Sequence, residues 1–399
     1  MPSILITENI IKQKSEEYFG EIKDIRHHIH AHPELSFEEF KTSTFVAQKL
    51  AEWGMKPQTI GGTGIVALIE GKNPSKKTIM LRADLDALPI HEKTDTEYKS
   101  LNEGVMHACG HDVHSSCLLG AAKILNELKD EFEGTIKVVF QPGEEKLPGG
   151  ASILIKDGIL KPKPNAIIGQ HVMPELEVGK AGFRPGLYMA STDEIYITVK
   201  GKGGHGAMPY QNIDPVLISA HLIVALQQVV SRWAKPSTPT VLSFGKVQAN
   251  GATNVIPDEV KMEGTFRTFD EEWRASAHEK MKTLAKGLVE SMGGKADFNI
   301  MAGYPFLKND EALTKHIQAS AIKYLGAENV VDLDLRTTAE DFAFYTHHAP
   351  SCFYRLGTGN NSKGINAPVH SPFFNIDENA LKTGMGLMAW LAVEELIFA

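Results

Sequence analysis

TIKVVFQPGEE, residues 135–145, shows how this chain is built. Its first half is apolar at nearly every position. A strand with one wet face alternates apolar and polar residues. A near-continuous apolar run suits a strand buried on both faces, as in a parallel sheet. Its second half is turn chemistry, Pro and Gly, closing on two adjacent acids. The same grammar recurs on either side: Thr78–Asp84 leads into LDALP, and Ala166–Gly169 (AIIG) leads into QHVMP. Gly64–Glu70 and, far downstream, Cys352–Leu356 are further short strand-like runs. Helical patterns lie among them: Thr7–His30, Ser36–Glu52 with Gly54 as its stop, His114–Leu128 and Gly150–Lys156. Strands alternating with helices predict an α/β fold with a doubly wound, mainly parallel sheet.

The middle of the chain has another rhythm. Thr192–Lys200 alternates with period two, and Asp214–Arg232 reads as a helix opened by an Asp cap with Pro behind it. The strands Pro239–Val247 and Glu259–Phe269 follow, then the helix Glu271–Ser291 and a strand near Ala296–Met301. The order β-α-β-β-α-β is ferredoxin-like and closes on itself. The expected organisation is therefore a first domain in two parts, 1–186 and 304–399, with an α+β domain inserted at 187–303. A chain of 399 residues is long enough for two domains of about 100–200 residues each.

Composition excludes several function classes. Hydrophobic content of 42% and charged content of 23% describe an ordinary soluble protein. The formal charge of −8 offers no clustered basic surface for a phosphate backbone, so no nucleic-acid partner is expected. Three cysteines, Cys109, Cys117 and Cys352, make no disulfide framework and suit a reducing compartment. The opening MPSILITENIIKQKSEE lacks a signal-peptide apolar run. The apolar stretch Met385–Ala399 is too short to span a bilayer, is interrupted by Glu394 and Glu395, and reads as a buried helix. The expectation is a cytoplasmic protein without a membrane partner.

The chemistry collects where strands end. After Thr78–Asp84 come Asp84 and Asp86; MHACGHDVH holds His107, Cys109, His111, Asp112 and His114; QPGEEK holds Glu144 and Glu145; QHVMP holds His171; and APVHSP holds His370. Ligands of open α/β sheets bind beyond the carboxyl ends of the strands. Imidazole, thiolate and carboxylate together suit Zn, Mn, Co or Ni better than Mg or Ca. Such an ion lowers the pKa of the water it holds to about 7, making hydroxide available. One of the two adjacent glutamates can bind an ion while the other stays free as a base. Taken singly, each residue has a blander reading. A lone His at a strand end is more often structural, a lone Cys is a small buried hydrophobe, and neighbouring acids are a solvated face. The joint pattern, with each residue in a turn after a buried strand, is what points to a metal. His27, His28, His30 and His32 cannot share one helix face and read as structural, and Cys117 and Cys352 read as core. No G-x-S-x-G elbow is present for a nucleophilic hydrolase.

The motifs RHHIHAHPELSFEE, RADLDALP, MHACGHDVH, QPGEE, GQHV, GGHGAMP, GATNVIPD and APVHSP, in this order over nearly the whole chain, resemble the aminoacylase/carboxypeptidase family of metallopeptidases (family M twenty). The likeness is greatest to its amidohydrolase branch, with hippurate hydrolase and indole-acetyl-amino-acid hydrolase. The resemblance implies hydrolysis of the amide bond of N-acyl-L-amino acids by metal-bound hydroxide, with two divalent ions per subunit. It implies Cys109, His111, Glu145, His171 and His370 as metal ligands, with Cys109 bridging where other branches have Asp. It implies Glu144 as general base, Asp86 as the carboxylate that orients a ligand, and His205 as an oxyanion donor reaching the site of a second subunit. Asn254, Arg267 and the backbone of Gly357 are the expected substrate contacts. A homodimer through the inserted lid domain is expected. Asp84 stands where other branches place a metal-binding His. A metal-free Cys109 thiolate beside a cationic centre would be reactive. Rival readings are an N-acetyl-diaminopimelate deacetylase or a dipeptidase with the same motifs. A catalytically silent metal-binding protein would have no use for a free base beside the ion.

Overall fold

All seven residues of the strand Thr135–Gln141 are buried in the computed structural model, which describes residues 6–398. Ile136, Val138 and Phe140 join one apolar cluster with Ile79, Leu81 and Ala83. Lys137, Val139 and Gln141 face the other way, because successive side chains alternate across a sheet. Burial of both faces is the physical reason for the continuous apolar run.

The strands β1 (Gln58–Ile60), β2 (Gly64–Glu70), β3 (Thr78–Asp84), β4 (Thr135–Gln141), β5 (Ala166–Glu177) and β6 (Ala181–Phe183) share one sheet with Val330–Asp332 and Ser351–Gly359. The order across it is β1, β2, β4, β3, β5, Ser351–Gly359, β6, Val330–Asp332. The centre, from β4 through β3 and β5 to Ser351–Gly359, is parallel. The flanking pairs β1–β2, β2–β4 and β6 with Ser351–Gly359 are antiparallel. Helices α1 (Glu8–Ala31) and α3 (His111–Glu127) pack with the last helix, Asn379–Ile397, on the face that carries Ile136 and Leu81. That last helix is apolar nearly all round because it is buried nearly all round. The expected end of this helix at Ala399 lies outside the described residues. Helices α2 (Phe40–Glu52) and α4 (Gly150–Lys156) complete the first half of this unit.

A second compact unit comprises Leu187–Leu307 and Leu335–Glu340. Ala190 N–H donates to the carbonyls of Arg336 and Thr338, both at 3.1 Å, and these backbone bonds tie the returning segment to it. Its sheet runs Thr240–Ala249, Glu259–Thr268, Asp193–Lys200, Lys295–Ala302, every pair antiparallel. Numbered along the chain that is second, third, first, fourth, the ferredoxin-like order. Ile195, Ile197 and Val199 supply its core. Asp214 caps the first helix as its sequence implies, accepting from the N–H groups of Val216 and Leu217. This helix ends at Leu226 and continues as a wide turn, Val229–Trp233, closed by Ala234 N–H on the Val229 carbonyl at 3.0 Å. Pro215–Trp233 is apolar and long enough to cross a membrane by length and composition. Here it lies on the antiparallel sheet through Ile218, Leu222, Leu226 and Val229.

Candidate metal centre

Four loops of the first unit deliver the polar cluster to the carboxyl edge of the parallel strands. Asp84 ends β3. Helix α3 begins at His111, three residues before its expected start, because Gly110 turns the chain at φ 81°. A side chain at Gly110 would be strained in that left-handed conformation. Its Cβ would also come within 2.6 Å of Val172. His171 does not follow β5 but lies inside it, since β5 continues to Glu177 in register with Ser351–Gly359. The QPGEE loop is held by Glu39, whose carboxylate accepts from Gly143 N at 2.8 Å, Phe37 N at 2.8 Å and Thr63 Oγ1 at 2.6 Å. His370, at φ 63°, is brought in by its own N–H on the Ala108 carbonyl at 2.8 Å.

The donor atoms fall into overlapping groups. Cys109, His111 and His171 form one, and Cys109, Glu145 and His370 another; within each, the atoms lie within 4.8 Å of one another. His111, Glu144 and Glu145 form a third. Cys109 Sγ is 3.4 Å from His171 Nε2, and Glu145 Oε1 is 3.2 Å from His370 Nε2. His111 Nε2 is fully buried with no hydrogen-bond partner. A buried orphan nitrogen is costly, and a cation is the group that would satisfy it beside these carboxylates and this thiol. The residues present therefore fit ions of the Zn, Mn, Co or Ni kind.

Hydrogen bonds fix the ring orientations. Asp86 Oδ1 lies 3.2 Å from His111 Nδ1, while its Oδ2 accepts from Ser36 Oγ at 2.6 Å and from Glu145 N at 2.9 Å. His171 Nδ1 bonds the Val172 carbonyl at 2.7 Å, which leaves Nε2 as the nitrogen available to an ion.

The electrostatics are anionic. Burial would lower His111, but Asp84, then Asp86 and Glu145, push it up to about 10. Burial, with Arg355 and His114 behind it, holds His171 well below the usual range, so its ring is neutral and ready to coordinate. Burial and then Glu145, Glu144 and Asp84 drive the Cys109 thiol well above its usual range. Burial and these carboxylates favour the thiol, which runs against the reactive metal-free thiolate expected from the sequence.

Asp84 is occupied otherwise. It accepts from Arg82 at 2.7 Å, pairs with His114 Nδ1 at 2.6 Å, and lies 3.7 Å from His111 Nε2. His114 Nε2 in turn accepts from Val172 N at 2.9 Å. Burial would raise the Asp84 carboxyl, yet His111, His114 and Arg82 hold it well below the usual range. It is the charge partner of a buried Arg and His.

Gly357 needs a correction as a substrate-facing backbone donor. Its N–H is spent on the Lys180 carbonyl at 2.9 Å, and a Cβ there would lie 2.1 Å from the Glu177 carbonyl oxygen. Close strand packing is what requires glycine. His205, Asn254 and Arg267 lie in the second unit. His205 and Asn254 are exposed, with His205 Nδ1 accepting from Ala207 N at 3.1 Å. Arg267 is half-buried and donates to Thr265 Oγ1 at 3.0 Å. In the early histidine cluster, His30 contacts Asp112 at 2.9 Å and Glu92 at 3.3 Å, and Arg26 donates to Asp112 at 2.8 Å. Ser36, Glu39 and His114, which the reading from sequence left without roles, bond the segments that carry the candidate donors.

Residues 80–394 match the sequence profile of Peptidase family M20/M25/M40. The N-acyl-L-amino acid amidohydrolase of Geobacillus stearothermophilus is 42% identical over 313 residues, 78% of this chain and 84% of that protein. The N-acetyl-L-cysteine deacetylase of Bacillus subtilis is 41% identical over 358 residues, 90% of this chain and 84% of that protein. The crystal structure of the Bacillus subtilis YXEP protein, described as a dinuclear metal binding peptidase, has a TM-score of 0.81 at 34% identity. It covers 96% of this chain and 99% of that one.

Proposed function

The chain belongs to peptidase family M20/M25/M40, and from that premise we propose that it is a metal-dependent amidohydrolase cleaving the amide bond of N-acyl-L-amino acids. The observation that carries this reading is the pair of donor groups sharing Cys109, with Glu144 beside them. Cys109, His111, Glu145, His171 and His370 would hold two divalent ions, with Cys109 common to both positions. When bound, such ions supply Lewis acidity at the amide carbonyl. The protein's own groups do the rest. Glu144, buried and next to the donors, takes a proton from water and delivers it to the leaving amine. Asp86 fixes the His111 ring through Nδ1, which leaves Nε2 as the atom that would hold an ion. His205 donates to the oxyanion of the tetrahedral species. Asn254 hydrogen-bonds substrate, and Arg267 clamps its carboxylate in the bidentate way guanidinium allows.

The unit carrying the cluster is the catalytic domain, and the inserted unit serves as lid and dimerisation domain. Support for a homodimer comes from the outer strand Thr240–Ala249, exposed over its second half, with Val247 53% exposed. Val216, Leu217 and Val224 of the neighbouring apolar helix are exposed as well. An unpaired edge and an apolar face are what a two-fold partner covers.

The test is metal-analysed protein assayed on N-acetyl, N-benzoyl and indole-acetyl amino acids beside a dipeptide panel. Activity should vanish with chelator, return with Mn, Co, Ni or Zn, and favour the N-acyl amino acids. Full turnover by thoroughly demetallated protein would overturn the metal role, and a preference for free dipeptides the substrate class.

A further inference from the structure

Leu68 of β2 and Lys137 of β4 are directly paired across the main sheet. Both point away from the apolar cluster that their neighbours Ala67, Ile69, Ile136 and Val138 join. Beside them, near the free β1–β2 edge, lies a cavity of about 540 Å³. Val66 and Leu68 give it apolar surface, and Leu68 is 47% exposed. Lys56, Lys129, Lys137 and Lys161 all line it, against the single acid Glu70. None of these lysines makes an ion pair among the described residues.

Lys137 is the buried member, at 5% exposure. Its ammonium donates to the carbonyls of Ile159 at 2.7 Å and Lys161 at 3.3 Å. Two carbonyls occupy donors without neutralising the charge, and an ammonium has three donors. Burial accordingly lowers its pKa from the ordinary lysine value. A surface Lys needs no explanation, but four uncompensated ammonium groups around one apolar-floored cavity form a matched environment for an anion.

We propose that this cavity is a second small-molecule site, which takes an organic phosphate monoester: a doubly charged head group on an apolar body. Lys137 and the outer lysines would hold the head group as point charges, and Val66 and Leu68 would carry the body. The site is separate from the metal centre. Lys137 precedes the end of β4 at Gln141 by four residues, roughly 13 Å along a strand rising about 3.3 Å per residue.

Phenyl phosphate is the probe, titrated calorimetrically at low ionic strength into the metal-loaded and the chelator-stripped full-length protein. One molecule per chain should bind in both states, with affinity falling as salt rises. Lys137→Met, which keeps the apolar stem, should weaken binding by at least about tenfold, the worth of one charge-assisted hydrogen bond. The surface triple variant Lys56→Gln/Lys129→Gln/Lys161→Gln should weaken it as much or more, and decides alone if Lys137→Met does not fold. Absence of binding to the wild type, binding that disappears with the metal, or unchanged affinity in the variants would overturn the proposal.

Discussion

Asp86→Asn is the substitution that most directly tests how the centre is assembled. The wild-type carboxylate, 1% exposed, meets three donors: His111 Nδ1 at 3.2 Å, Ser36 Oγ at 2.6 Å and Glu145 N at 2.9 Å. An Asn amide has one oxygen and one NH₂ in the same space. If its oxygen faces His111, the NH₂ opposes the Glu145 N–H. A buried backbone donor is then left unmade at a cost of about 1–3 kcal/mol, on the residue proposed to hold an ion. If its oxygen faces Glu145 instead, the NH₂ faces His111 Nδ1 and makes it an acceptor. The ring proton then sits on Nε2, the atom that must be bare to coordinate. Both placements damage the site, and the Ser36 hydroxyl adapts to either, donating to the oxygen or accepting from the NH₂. Loss of such an outer partner costs about 10–100-fold in metal affinity. The assay is competition with a chromophoric chelator, alongside denaturant unfolding of the metal-free protein. Ser36→Ala, which removes one donor and no acceptor, should lose only a few-fold by the same reasoning. Wild-type metal affinity and stability in Asp86→Asn would refute the orienting role.

Glu144→Gln should retain its metal while turnover falls about 10²–10⁴-fold, whereas Glu145→Gln should lose metal by elemental analysis; the opposite pattern would reverse their roles. In metal-free protein Cys109 should react with a thiol reagent slowly near neutral pH and faster only well above the ordinary thiol range, because burial and then Glu145 hold it protonated. Rapid labelling at pH 7 would contradict that environment. Mixed Glu144→Gln and His205→Ala subunits should recover about a quarter of wild-type activity if His205 serves the second subunit, since half of randomly paired dimers are mixed and half their sites whole. No recovery, with subunit exchange confirmed by mass, excludes that role. Burial would lower His30, but Asp112 overcomes it and raises the group above its unfolded value near 6.5. Its stabilisation is therefore full below that pH and lost as pH rises through the folded value. The stability gap between wild type and His30→Gln, from urea unfolding, should shrink with rising pH, and a gap that widens would show the sign to be wrong.

What the sequence made legible is whatever depends on near neighbours. Burial on both faces writes itself into Thr135–Phe140 as continuous apolar sequence, and a half-wet sheet writes itself into Thr192–Lys200 as alternation. Most of the candidate donors stood out because they fall in loops beyond buried strands, although His171 lies inside β5. What stayed hidden depends on partners far along the chain. Ser36 acts through Asp86, 50 residues away, and Glu39 through Gly143, 104 residues away. No spacing rule links such positions. Gly357 looked like an anion-binding turn and is a packing position, because the carbonyl that crowds it belongs to Glu177 on another segment. The start of α3 was misplaced for the related reason that Gly110 is packed against Val172 of β5.

Cys109 carries the clearest case. Read from sequence, it is a thiolate beside a cationic centre, reactive when metal-free. In the fold its chemistry is set first by burial and then by Glu145, Glu144 and Asp84, brought from the ends of β3 and β4. The sign of the local field therefore reverses between the linear and the folded neighbourhood. An ion binding there must displace the Cys109 proton, and the proton that the same carboxylates place on His111. Metal capture and proton release are then one equilibrium. The carboxylates that suppress the thiol's reactivity toward oxidants are also the charge that draws the cation in.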